Sequence, residues 1–270
     1  VPYGLPYVVL CLVQAVAVLV PRPSPPLPWL GRRRLLGLIP LAAIGGVVAL
    51  IDADPSLAQS ATDLAVFATP VAFAGGALAF RFRPAAIAVV PLFWLAWKGS
   101  GRPQDIAIDA LIVGAAGTLA WLTGTVAPRL VLAAAIIVVT VVDVYQVLVA
   151  GSVQPVANAL VSAAPPSDLP HLQQAVWNGA TMGWGDIYLA ALLGTVIAAA
   201  PLRRRLEVAA VVVVSGLANG FQFLVLDLIP ATVPVAAALV YALLRERGRI
   251  GTVPASEGGH ADGYDGNPPR

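Results

Sequence analysis

Apolar residues run along this chain in long blocks, and polar residues gather in short clusters between them. Crossing the hydrocarbon core of a bilayer takes roughly 20 predominantly apolar residues in a helix. Nine windows meet that description: 3–20, 35–51, 62–80, 84–100, 106–124, 130–150, 176–200, 206–226 and 229–245. The first lacks the positive start of a secretory signal peptide. The fourth closes on Trp94, Trp97 and Lys98, the anchors of a membrane interface. The fifth opens near Asp105 and Asp109, one helical turn apart at a span's end, and these are read as interface residues. From Glu246 onward the chain is polar, charged and Gly-rich, which predicts a disordered tail over 246–270. The pattern divides the chain into an N-terminal membrane bundle of five spans (1–129), a membrane part of four spans (130–245) and the tail. The expected fold class is all-α, a polytopic membrane protein of about nine transmembrane helices, with no soluble domain and no repeat.

Composition supports that class. Of the 270 residues 59% are hydrophobic and 11% charged, and the mean hydropathy is +0.84. Soluble domains carry roughly 25% charged residues. A single cysteine, Cys11, excludes an intramolecular disulfide framework. Lysine occurs once against many arginines, and Ala, Val, Pro and Gly abound. That bias is one of GC-rich genomes and points to a prokaryotic plasma membrane. Charge placement then gives an orientation. Of the 16 basic residues, all but Lys98 and Arg102 fall in alternate loops or the tail, on one side of the expected bundle. The positive-inside rule puts the N-terminus outside and the C-terminus in the cytoplasm.

Two acids break the apolar runs. Asp186 follows Met182-Gly183-Trp184-Gly185 and precedes the apolar stretch Ile187 to Ala200, while Asp143 lies inside Leu130 to Ala150. A charged residue at the centre of a membrane helix costs roughly 3 kcal/mol on insertion scales, so such a residue points to function. Asp143 is expected roughly 20 Å along the outward-running sixth span, and Asp186 roughly 15 Å into the inward-running seventh if that span starts near Val176. The two aspartates therefore meet at middle to outer depth. Thr140 and Gln146 share the face of Asp143. Gly183 and Gly185 permit another backbone to come close, as an unwound peptide requires in lipid. The third feature is Leu228-Ile229-Pro230-Ala231-Thr232-Val233-Pro234-Val235. Two prolines four apart predict an irregular approach to the last helix, and irregular backbone at membrane depth belongs beside protein or a water-filled cavity. Taken singly, each feature has a plainer reading: a glycine hinge with an interfacial aspartate, an inter-helix hydrogen bond, a proline-led helix start.

Taken together, these residues resemble the presenilin and signal peptide peptidase family of intramembrane aspartyl proteases. The likeness is carried by Asp143 in the sixth span, Gly183-Trp184-Gly185-Asp186 at the seventh and Pro230-Ala231 before the ninth, over roughly 130–245. Where the family has Tyr-Asp, Val142 precedes Asp143 and Tyr145 follows; where it has Pro-Ala-Leu, Thr232 stands third. The resemblance implies peptide-bond hydrolysis by the pair Asp143 and Asp186, with Gly183, Trp184, Gly185, Pro230, Ala231, Thr232 and Val233 lining the substrate site. It implies no metal and no cofactor. The expected partners are the bilayer and transmembrane or signal-peptide substrates, and no nucleic acid. Two alternatives stay open. A prepilin-peptidase-like GxGD protease would have lysine where Tyr188 stands. A proton-coupled transporter would use the same aspartates as a relay. A metal site is not expected, because His171 lies in a polar loop with Asp168, and His260 in the tail.

Overall fold

Each apolar window contains a helix. The structure, a computed structural model, describes residues 4–23, 39–79, 81–151, 153–224 and 229–250. Arg32, Arg33, Arg34, Leu228 and the tail from 251 onward lie outside the described residues. The helices are α1 (Leu5–Leu19), α2 (Ile39–Ala53), α3 (Leu57–Ala79), α4 (Arg83–Lys98), α5 (Arg102–Val126), α6 (Arg129–Tyr145), α7 (Val153–Ser162), α8 (Trp184–Val196), α9 (Leu202–Gly220) and α10 (Val233–Ile250). Proline opens α1, α4 and α5, where its missing N–H has no intrahelical partner to lose. Four segments are long and apolar enough to cross a membrane: Leu57–Ala79, Arg102–Val126, Arg129–Ala150 and Leu202–Leu224. Leu5–Leu19 and Trp184–Val196 are shorter apolar helices.

Helix α8 is the most deeply buried element, with every side chain from Ile187 to Leu193 inside. It packs between α1 and α5. A Cβ placed on Gly194 would lie 2.2 Å from the Val18 carbonyl oxygen, so only glycine allows α1 to come this close. On the other side the buried hydroxyls of Tyr188 and Thr123 are 2.9 Å apart. The Thr123 hydroxyl proton goes to the Leu119 carbonyl, so Tyr188 is the donor across the interface. Helices α9 and α10 pair beside this centre, and α6 lies against α8 and α10.

One helix joins the expected set, and one expectation is corrected. The segment 151–175, left between the sixth and seventh apolar windows, contains α7, whose Val156 forms a small second core with Ala163, Ile51 and Ala58. The seventh helix does not start near Val176. Strands β1 (Gln174–Trp177) and β2 (Ala180–Gly183) form an antiparallel hairpin there, and α8 begins only at Trp184. The cause is local. Asn178 and Gly179 have φ of 46° and 85°, the two positive values of the tight turn that suits right-twisted strands. Helix α8 ends at Val196, ahead of Pro201, whose ring disfavours helical backbone in the residue before it.

One end of the bundle gathers arginines. Arg129 and Arg204 both pair with Glu246, and Arg203 and Arg245 with Glu207. Arg205 donates to the carbonyls of Val18, Leu19 and Pro21, the acceptors left open where α1 stops. The C-terminal ends of α1 and α10 and the starts of α6 and α9 therefore share this end.

Candidate active site

Asp186 is the third residue of α8, with Gly183 as its N-cap. From that position a carboxylate can turn back to the N-cap amide, which is one half of a capping box. The Gly183 backbone N–H faces it accordingly. The fit is tight: a Cβ on Gly183 would stand 2.9 Å from Asp186 Oδ2. Gly183 is thus needed for the room it leaves beside the carboxylate.

Asp143 comes from the opposite wall. It lies near the end of α6, where the chain widens into a π-helical turn over Gln146–Ala150 and stops at Gly151, φ 66°. Such widened turns often stand at functional sites. Asp143 is half-buried, as is Asp186. The two carboxyl groups lie close enough for the charge on Asp143 to act directly on Asp186. The structure thus brings together the two acids singled out in the sequence. It does so although Asp186 opens its helix instead of lying three turns inside it, because the hairpin fills the missing depth.

The proline segment completes the site. Thr232 Oγ1 donates to Asp143 Oδ2 at 2.6 Å, and the Thr232 backbone N–H faces the same carboxylate. Thr232, where the family has leucine, is therefore in direct contact with one acid. The backbone before it is held by side chains. In a continuous helix the Pro230 carbonyl would take the N–H of residue 234, but residue 234 is proline. Asn219 Nδ2 supplies a donor instead, at 3.0 Å, beside a longer bond from the Val233 N–H at 3.5 Å. The N–H of Val235, next in line for the Ala231 carbonyl, is spent on Thr232, and Gln14 Nε2 serves Ala231 at 3.0 Å. Gln14 and Asn219 are buried. The carbonyls of Pro230 and Ala231 are thus served by side chains of α1 and α9. Val233 opens α10 one residue beyond Thr232.

The remaining candidates are placed differently. The Trp184 ring stacks on Tyr188 at 5.6 Å and packs against the core. Gly185, half-buried, lies between Trp184 and Asp186. Tyr145 is 58% exposed. The Thr140 hydroxyl bonds the Ile136 carbonyl in its own helix. Asp109 is buried, and Asp105 and Asp109 both accept hydrogen bonds from the hairpin. Gln14 and Asn219 carry no sequence signal, since what they bind lies on distant elements. The hairpin does carry one, in Asn178-Gly179 between β-forming residues. Among the described residues no group of three or more His, Cys, Asp or Glu is placed to hold a metal ion. No family model, curated protein or solved structure matches this chain.

Proposed function

We propose that the protein is an intramembrane aspartyl protease that cuts transmembrane segments or signal peptides, with Asp143 and Asp186 as its catalytic pair. The observation that carries the reading is that these two half-buried carboxyl groups, one on α6 and one on α8, lie within reach of each other's charge. Two carboxyl groups in one site hold one proton between them. The ionised member takes a proton from water as the water attacks the scissile carbonyl carbon, and the other gives its proton to the carbonyl oxygen. Collapse of the tetrahedral adduct breaks the C–N bond, and the nitrogen takes a proton, leaving a carboxyl and an amine product. No cofactor enters these steps.

The rest of the proposal follows from the surroundings. Thr232 orients Asp143, and the Gly183 amide orients Asp186. A substrate in extended form can pair with the outer edge of β2 at exposed Thr181, the Gly183 amide being held by Asp186. All nine helices matched to the apolar windows are proposed to span the membrane in a presenilin-like fold, in a prokaryotic plasma membrane with the N-terminus outside.

The test is cleavage of helical model peptides in liposomes, with products identified by mass spectrometry. Wild-type protein should cut within the hydrophobic segment, and Asp143→Ala and Asp186→Ala should each abolish cutting while retaining the fold. Cleavage that survives both substitutions refutes the proposal.

A further inference from the structure

One long edge of the hairpin is bonded to α5, and the other exposes Thr181 and ends at Gly183. Gln174 pairs with Gly183, Ala175 with Met182, Val176 with Thr181, and Trp177 with Ala180 across the turn. Trp177 and Ala180 flank a two-residue turn and bond each other, so the N–H of Val176 points away from β2. That of Asn178, in the turn, is likewise free of the ladder. Both outward groups find carboxylates on α5. The Val176 N–H donates to Asp109 Oδ1 at 3.0 Å, and the Asn178 N–H to Asp105 Oδ2 at 3.0 Å.

The spacing explains why an aspartate pair four apart suits this edge. Four residues of helix rise about 6 Å. Two residues of strand advance about 6.7 Å. The acids of α5 therefore present acceptors with nearly the period of a neighbouring strand. Asp109 is 5% exposed, and its Oδ2 has no hydrogen-bond partner among the described residues. Such a group costs stability unless what it holds repays the burial, and what Asp109 holds is the hairpin.

We infer that Asp105 and Asp109 are positioning residues of the proposed protease site: they clamp the β1 edge to α5, so that the open β2 edge, ending at Gly183 and Asp186, stays in register beside Asp143. The inference rests on the proposed function for its catalytic consequence but not for the clamp itself.

The test reads both, on full-length protein in detergent micelles. Hydrogen exchange of peptides covering 174–183 should rise about tenfold in Asp109→Ala, the loss expected when a buried N–H is left without its acceptor. Asp109→Asn keeps an acceptor oxygen and should stay within about threefold of wild type. On a model transmembrane peptide, Asp109→Ala should lose roughly tenfold in kcat, with KM little changed and Asp109→Asn restoring most of the rate. If Asp109→Ala does not fold, Asp105→Ala, at the half-buried end of the clamp, should raise exchange at Asn178. Unchanged exchange in a folded alanine variant overturns the clamp. Raised exchange with no cleavage by wild type supports the clamp and removes the protease reading. Raised exchange with unaltered kcat overturns the positioning role.

Discussion

At the scale of single residues, the two acids were legible because charge is rare in apolar sequence, and Gly183 because small residues stood beside one of them. What the sequence could not carry was the reason for that glycine. It is a distance, 2.9 Å from a built Cβ to Asp186 Oδ2, and it makes Gly183→Ala a sharp probe. The methyl group must push the carboxylate aside or shift the strand end. Misplacement by about 1 Å can cost 10²-fold in rate, so turnover on a model peptide should fall by roughly that factor while thermal stability stays near wild type. A fully active Gly183→Ala would separate Asp186 from the chemistry. His171 gives a second probe, of stability. Its Nδ1 lies 2.9 Å from Gln173 Nε2, so the amide donates and the ring proton sits on Nε2. Burial lowers the His171 pKa. A histidine held neutral in the fold contributes nothing against the unfolded chain above about pH 6.5. As pH falls below that value, the unfolded chain gains its proton first and stability is lost. Unfolding in micelles followed from pH 7.5 to pH 5.5 should show this decline, and it should weaken in His171→Gln. A decline of equal size in that variant would assign it to another group.

At the scale of elements, helices were readable from apolar windows, since length and hydropathy alone decide whether a segment suits a bilayer. The hairpin was not, because Val176, Trp177, Ala180 and Met182 are as apolar as the helix they precede, and a hydropathy window averages over the turn. Backbone chemistry at Asn178-Gly179 overrides that average. The proline segment shows the complementary case. Pro230 and Pro234 announce broken helix, but which groups satisfy the freed carbonyls depends on Gln14 and Asn219, which lie on α1 and α9. These contacts join residues far apart in sequence and appear only once the chain has folded. They imply a measurable coupling. Gln14→Leu removes the side-chain donor of the half-buried Ala231 carbonyl, and Asn219→Leu leaves the Pro230 carbonyl only the 3.5 Å bond from the Val233 N–H, each at about 1–3 kcal/mol, seen as loss of resistance to denaturant in micelles. Both carbonyls precede Thr232, so each change should also loosen its hold on Asp143. Combined with Thr232→Val, either substitution should therefore cost less in turnover than the sum of the single effects. Strict additivity would mean that the wall and Asp143 act independently. Thr232→Ser, which keeps the hydroxyl, should retain most activity.

At the scale of the whole molecule, the arginine pattern along the chain and the ion pairs in the fold describe the same end. Arg129, Arg203, Arg204 and Arg245 meet there through Glu207 and Glu246. Asp143 lies fourteen residues beyond Arg129 on α6, about 21 Å away along the axis. Asp186 opens α8, whose far end leads through Pro201 to the same arginines. The proposed site therefore lies toward the end opposite the cluster. If positive charge stays in the cytoplasm, the arginine end is inside and the aspartates lie toward the outer leaflet. A cleft fixed in this frame reads peptide direction, because main-chain donors and acceptors come in a set order along the β2 edge. Turning the proposed protease over in the membrane would invert the substrates it accepts. Arginine placement puts the N-terminus outside; by resemblance to signal peptide peptidases, the substrates of the proposed protease should then be single spans with a cytoplasmic N-terminus, leftover signal peptides among them. Such a span must also unwind at the cut, so each glycine introduced there should speed cleavage by relieving roughly 1 kcal/mol of helix preference. Reporter fusions should place Arg270 inside and the segment 151–175 outside, and model spans of both orientations should then be offered to the enzyme. Preference for spans with an external N-terminus would refute the assignment even if the reporters agreed with it.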